Sequence, residues 1–211
     1  MIIDSIWIRR CPYCRKRIGF DMTECLACRA AYPSTPRIEV TPRGDICIAP
    51  FSYDGVIAAA IKDFKFRGVR FNSKSFAGAI VAAMKKTYFK DMDFEVITSV
   101  PATKKRKRQR GYNQAELIAR YVAEMTGTGY KELLVRDVDT VYQHYLGQEE
   151  RKKHDKSYYS IIDRESVRNK KILLIDDIMT SGSTLSGCSE VLMDAGAQRI
   201  FCAVTAITKR R

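Results

Sequence analysis

The stretch "ILLIDDIMTSGST", residues 172–184, restricts the fold of this chain more than any other. Its first four residues are apolar, rich in β-branching and too few for a helix, so they predict a buried parallel strand. Asp176 and Asp177 follow at once. Thr180, Ser181, Gly182, Ser183 and Thr184 then read as a tight loop that opens a helix at Leu185. A strand–loop–helix junction points free backbone N–H groups at whatever lies above the sheet, which suits an anion. The two carboxylates need a different partner, either hydroxyl groups or a cation. One ligand carrying both a phosphate and a sugar diol accounts for the whole stretch. The plainer alternative, a strand ending in a chance acidic pair, leaves two adjacent like charges with nothing to neutralise them, at a cost. The Walker lysine pattern is absent, which disfavours a P-loop nucleotide hydrolase. A haloacid-dehalogenase nucleophile motif would set its acids two apart.

The rest of the chain supplies more such strands, alternating with helices. "ICIAPFSYD" is strand-like, "GVIAAAIKDFKF" has apolar residues at helical spacing, and an alanine-rich helix is predicted from Ser73 to Phe89. "EVITSVP" is a core strand stopped by Pro101, and "NQAELIARYVAEMTG" is a helix ending at Gly127. "KELLVR", "SYYSII", "KKILLID" and "RIFCAVTAIT" are further strands, and "TLSGCSEVLMDAG" a further helix. This alternation predicts an α/β fold with a mainly parallel sheet, which binds ligands beyond the carboxyl ends of its strands. Residues 137–156 are long, polar and patternless, which flags either a mobile functional loop or disorder.

A length of 211 residues suits one ordinary domain with an appendage. The appendage announces itself by cysteine spacing: Cys11-x2-Cys14-x10-Cys25-x2-Cys28. Two such knuckles predict a tetrahedral four-thiolate zinc site. A segment this short rarely folds on its own core, whereas structural zinc supplies on the order of 10–16 kcal/mol in small fingers. Residues 1–40 are therefore expected to form a metal-held module and linker, with the proline-rich "YPSTPRIEVTPRGD" as the linking segment. Residues 45–211 should form the α/β domain, with a core independent of the metal. Cys47, Cys188 and Cys202 stand among apolar residues and are expected in the core.

A formal charge of +13 implies an anionic partner. No apolar run reaches the length of a membrane span, so no membrane insertion is expected. The start "MIIDSIWIRRC" has no basic segment before its apolar residues, and Asp4 interrupts them; a cytoplasmic location is expected. The charge is concentrated in "PATKKRKRQRGYNQAELIAR", where six of the seven residues from Lys104 to Arg110 are basic. A solvated charge run or a nucleic-acid patch is the bland reading. The sharper one is a pyrophosphate-binding loop at the mouth of the sheet, where arginine makes bidentate contacts and Gly111 lets the backbone approach oxygen.

Residues 172–184 resemble the phosphoribosyl-pyrophosphate (PRPP) signature of type I phosphoribosyltransferases. The basic stretch with its "RGYNQAE" order, the segment "AIKDFKFRG" and "TVYQHYLGQEER" resemble the ComF family, as does the four-cysteine head. Nearly the whole chain is covered. Ser181 stands where threonine is common, and "KKHDKSYYS" after Glu150 and Arg151 departs from the family's usual order. The resemblance implies a phosphoribosyltransferase that takes magnesium-PRPP, transfers its phosphoribosyl group to an acceptor these motifs do not specify, and releases pyrophosphate. It makes Asp176 and Asp177 the ribose binders and Thr180, Ser181, Gly182, Ser183 and Thr184 the phosphate cradle. Arg110, Gly111 and Asn113 are implied to hold pyrophosphate. Arg106, Arg108, Arg110 and Arg151 are candidates for stabilising leaving-group charge, with residues 140–151 as a flap. His144 and His154 fall in the 137–156 loop and are read as solvated. The family's link to natural competence implies DNA uptake, its machinery and single-stranded DNA as partners, with Lys104, Lys105 and Lys107 as DNA contacts. A non-catalytic DNA-binding adaptor that retains the fold is the competing reading, and stacked aromatics would favour it.

Overall fold

A computed structural model describes residues 9–136 and 158–209. The 140–151 flap, with His144 and Arg151, and His154 beyond it lie outside the described residues.

A six-stranded sheet carries the fold. Its strands are β1 (Arg37–Val40), β2 (Ile46–Ala49), β3 (Phe51–Ser52), β4 (Val96–Ser99), β7 (Lys171–Met179) and β8 (Arg199–Ile207). In space the order is β1-β2-β8-β7-β4, with β3 continuing beside β8 after the break at Pro50. Only the β1–β2 pair is antiparallel; β2, β3 and β7 run parallel to β8, and β4 parallel to β7. β5 (Leu134–Arg136) and β6 (Tyr159–Ile161) form a separate antiparallel pair.

The apolar run of β7 explains its central place. Successive side chains on a strand face opposite ways. Leu173 and Ile175 accordingly join the cluster built by α2 (Gly55–Phe66), α3 (Asn72–Lys85) and α5 (Gln114–Thr126). Ile172 and Leu174 join the cluster on the other face, under the helix α6 (Ser183–Asp194). Both faces are covered, so the strand has no polar side, as parallel sheets require. Cys47, Cys188 and Cys202 are fully buried in this second cluster, as expected.

Three sequence expectations need correction. The proline-rich segment is not only a linker: Arg37–Val40 pairs with β2 as a strand of the sheet, its prolines falling outside the paired residues. The basic run is not a loop. Lys104–Arg110 is a two-turn helix, α4, capped by the Thr103 hydroxyl accepting from Arg106 N–H at 3.1 Å and closed by Gly111 at φ +74°. Lysine, arginine and glutamine are good helix formers, and a threonine before with a glycine after are ordinary caps. Nor does the cysteine module stand apart from the core. Tyr13, between the first two cysteines, is buried against Phe51, Phe76 and Tyr32, with ring centroids 5.8, 6.4 and 6.1 Å away. Its hydroxyl accepts from Ser75 Oγ at 3.0 Å. Arg15, in the left-handed region at φ +63°, reaches from the knuckle to an ion pair with buried Asp63 of α2, which also holds Arg67 at 3.1 Å.

Candidate ligand site and cysteine cluster

Beyond the carboxyl ends of β4 and β7 lies a cavity of about 290 Å³. Val100, Pro101 and Ala102 follow β4 along one wall. Asp176, Asp177, Thr180 and Thr184 form the floor, and Arg106, Arg110, Asn113 and Gln114 close the side. The sequence signals that lie far apart in the chain therefore meet here. The position is that of a ligand crevice in an open α/β sheet.

The acidic pair is strained electrostatically, as its sequence implies. Burial, and then the charge of Asp177, raise the Asp176 carboxyl to about 7. The Asp177 N–H donates to Asp176 Oδ1 at 2.7 Å, and the charges of Lys65 and Arg106 pull the other way. Lys65 Nζ sits 3.0 Å from Asp177 Oδ1. The segment around Lys65 carried a family resemblance, but nothing in its spacing told that this lysine enters the site. Among the described residues of the cavity, Lys65 is the cation a diol or a divalent ion would have to share Asp177 with.

The small-residue loop needs its glycine. Gly182 lies at φ +81°, and a Cβ there would come within 2.9 Å of Pro42 Cδ. The β1–β2 turn leans on this loop and its helix, with Arg43 N–H donating to Ser186 Oγ at 3.1 Å. Thr180 and Thr184 line the cavity, while Ser181 Oγ donates to Ser183 Oγ at 3.1 Å. The loop opens directly into α6, whose first-turn N–H groups are the natural anion donors.

In the basic helix, Arg106 and Arg110 lie one turn apart and both line the cavity, whereas Lys104, Lys105, Lys107 and Arg108 are exposed and do not. Arg110 Nη1 donates to Gln114 Oε1 at 2.9 Å, which leaves the buried Gln114 Nε2 without a partner among the described residues. Asn113 is occupied locally: its amide donates to Val100 O at 3.0 Å and accepts from Ala115 N–H at 3.2 Å, capping α5. Gly111 serves as the closing residue of α4 rather than a lining residue. Arg136 also reaches the cavity, with its guanidinium 5.7 and 5.4 Å from the Tyr158 and Tyr159 rings. Neither Gln114 nor Arg136 had a signal beyond its type, because their roles come from tertiary contact.

In the head, the sulfurs of Cys11, Cys14, Cys25 and Cys28 lie within 4.8 Å of one another. Four thiolates around zinc at about 2.3 Å stand about 3.8 Å apart, so the cluster has the size of a tetrahedral site. The Cys28 N–H, donating to Cys25 Sγ at 3.4 Å, is the main reason the Cys25 thiol is lowered to about 7. Burial raises that of Cys28. The residues present fit the metal in number and chemistry.

The sheet order and the acid-plus-hydroxyl loop at the end of β7 define an α/β domain with a ligand crevice beyond the carboxyl ends of its strands. A family model described as the phosphoribosyl transferase domain matches residues 137–211. The chain is similar to competence protein F of Haemophilus influenzae, with 24% identity over 195 residues, 90% of this chain and 81% of that protein. It is likewise 24% identical to the DNA utilization protein YhgH of Salmonella typhimurium, over 90% of this chain and 86% of that one. Among solved structures it resembles an allosteric regulatory enzyme of purine biosynthesis at 20% identity and a TM-score of 0.42, over 63% of this chain and 25% of that chain. No described helix is long and apolar enough to cross a membrane.

Proposed function

We propose that the chain is a phosphoribosyltransferase of the ComF kind, which binds magnesium-PRPP in the cavity and transfers its phosphoribosyl group with release of pyrophosphate. The observation that carries this reading is the convergence of Asp176, Asp177, Thr180, Thr184, Arg106 and Arg110 on one crevice. Asp176 and Asp177 accept from the ribose hydroxyls. Thr180, Thr184 and the loop between them, with the N–H groups of α6, hold the 5′-phosphate. Arg106 and Arg110 carry the departing pyrophosphate, and Gln114 Nε2 is a free donor beside them. Arg108 and Arg151 have no such support: the first points to solvent and the second lies outside the described residues. Transfer of this kind rests on positioning and on charge stabilisation rather than covalent help. Magnesium would enter with the substrate, with Asp176 and Asp177 the carboxylates that would hold it, and would supply charge neutralisation for the departing pyrophosphate. Zinc in the four-cysteine cluster would be structural. The names of the two relatives support a place in competence and DNA utilization, and the DNA-uptake machinery as a partner and a cytoplasmic location belong to the same proposal.

Calorimetric titration with PRPP and magnesium tests the site. Replacing Asp176→Asn and Asp177→Asn together removes two charge-assisted acceptors and should cost roughly 3–6 kcal/mol of affinity. Unchanged affinity in the double variant rejects the ribose assignment.

A further inference from the structure

The cavity holds one cation that the assigned PRPP contacts leave without a task. Four basic residues line it, Lys65, Arg106, Arg110 and Arg136, against the two carboxylates Asp176 and Asp177. Lys65 is paired with Asp177, and Arg110 is held by Gln114 and lies 5.2 Å from the Phe66 ring. Arg106 and Arg110 share the pyrophosphate. Arg136 reaches the same space from a separate element. The segment leading into β5 follows the outer edge of β4, where Tyr130 bridges to Ile97 and the Leu133 N–H donates to Thr98 Oγ1 at 3.3 Å. β5 then carries Arg136 to the cavity, opposite the buried Tyr159 in the β5–β6 register. The rings of Tyr158 and Tyr159 brace its guanidinium. Its Nε is buried without a hydrogen-bond partner, and the group makes no ion pair among the described residues.

A guanidinium partly out of water, braced by rings and given no acceptor by the protein, is completed by an anion. A phosphate dianion is served best by several cations, and the others of this cavity are committed. One guanidinium matches one carboxylate, its planar fork making two parallel N–H···O bonds. We infer that Arg136 recognises the phosphoribosyl acceptor, and that the acceptor is a small molecule bearing a carboxylate set apart from its attacking atom. The inference rests on the phosphoribosyl-transfer reading. In that transfer the acceptor's nucleophilic atom forms a bond to the anomeric carbon with its own electron pair. The bond from that carbon to the pyrophosphate oxygen breaks, its pair leaves on pyrophosphate, and any proton on the nucleophile passes to water. Arg136 takes no part in those bonds. It selects the molecule that stands in line for them, with Pro101 and Ala102 as a small apolar wall beside it. A neutral acceptor in the same place would leave the guanidinium desolvated and unpaired, and that cost is the discrimination.

Benzoate and benzamide share a shape, differ in charge and carry no ring nitrogen, so they read the subsite apart from turnover. Titrated by ligand-observed NMR into the protein saturated with magnesium-PRPP, benzoate should bind about tenfold or more tighter than benzamide. Phenyl phosphate should gain nothing over benzoate. Arg136→Gln should abolish the preference for benzoate while calorimetry finds magnesium-PRPP affinity unchanged. Should that variant lose its thermal transition, Arg136→Lys, which keeps the charge without the fork, should weaken benzoate and leave PRPP unmoved. Loss of PRPP affinity in a folded Arg136 variant would assign the residue to PRPP and overturn the inference while the proposed function stands. If the parent binds no PRPP, the proposed function fails, and a benzoate preference on the free protein that Arg136→Gln abolishes would keep the carboxylate subsite. Equal binding of benzoate and benzamide by the parent would overturn it, as expected if Asp137 or Asp139, outside the described residues, neutralised the guanidinium. Tighter binding of phenyl phosphate, or a benzoate preference that survives Arg136→Gln, would overturn it as well.

Discussion

Asp176 holds a proton where most aspartates do not. Its carboxyl titrates near 7 in the fold because burial and the neighbouring Asp177 charge disfavour ionisation, against an ordinary value of 3.8. Between those two values the folded protein binds more protons than the unfolded chain. This group's contribution therefore makes stability fall as pH rises through that window, the reverse of a salt-bridged carboxylate. A ribose diol is a donor and favours the ionised acceptor. Binding of magnesium-PRPP should thus release a proton below about pH 7, and affinity should climb with pH and level off above it. Calorimetry at pH 6 in two buffers of different ionisation heat measures this; proton uptake on binding would contradict it. Gly182 offers a second test at the same scale. Alanine there must adopt φ +81° against Pro42, so a loss of about 1–2 kcal/mol in stability is expected from the left-handed backbone. A thermal melt that leaves the midpoint unmoved would show that the loop relaxes freely.

The helix α4 divides its charges by face. Arg110 lines the cavity and is fixed by Gln114 and Phe66, while Lys104, Lys105 and Lys107 point to solvent. Arg110→Ala should weaken magnesium-PRPP about tenfold or more, as the loss of a charge-assisted contact implies. Replacing the three lysines by glutamine should leave PRPP unaffected and shift the slope of log K against log salt for single-stranded DNA by about 2, at about 0.7 per phosphate. Equal losses of both ligands in both variants would show that the helix has no such division. The elements themselves were largely legible: α2 and α5 follow apolar spacing and closing residues that stand in the sequence. The helical state of α4 was legible too, through Thr103 and Gly111, but a dense charge run reads first as a solvated loop. β1 was masked because Pro36 and Pro42 flank only four residues whose alternation is short. Asp176, Asp177 and the hydroxyl loop are contiguous and so carry their chemistry in one line of text. Lys65, Gln114 and Arg136 reach the same cavity from separate elements, and no local spacing encodes a meeting arranged by the sheet.

At the scale of the whole molecule, the cysteine module and the sheet share one core through Tyr13. Stripping zinc with a chelator should therefore not leave an untouched domain. Loss of the knuckle frees Tyr13 from Phe51, Phe76 and Ser75 and removes Arg15 from Asp63, which leaves a buried carboxylate with Arg67 alone. Removing a buried aromatic from a core costs roughly 3–5 kcal/mol, so the main thermal transition should drop and remain single. A main transition that keeps its midpoint in chelator would show the module to be separable. The strand order has a different consequence, in the timing of synthesis. β7 and β8 follow every other strand of the sheet in the chain, yet they occupy its middle, with β2 on one side and β4 on the other. Until they arrive, β4 and the β1–β2 hairpin lack the central strands that join them into one sheet. A chain truncated before Arg199 should accordingly be degraded readily by protease, because the strand that links β2 and β3 to β7 is missing, and a protease-resistant truncated chain would contradict this.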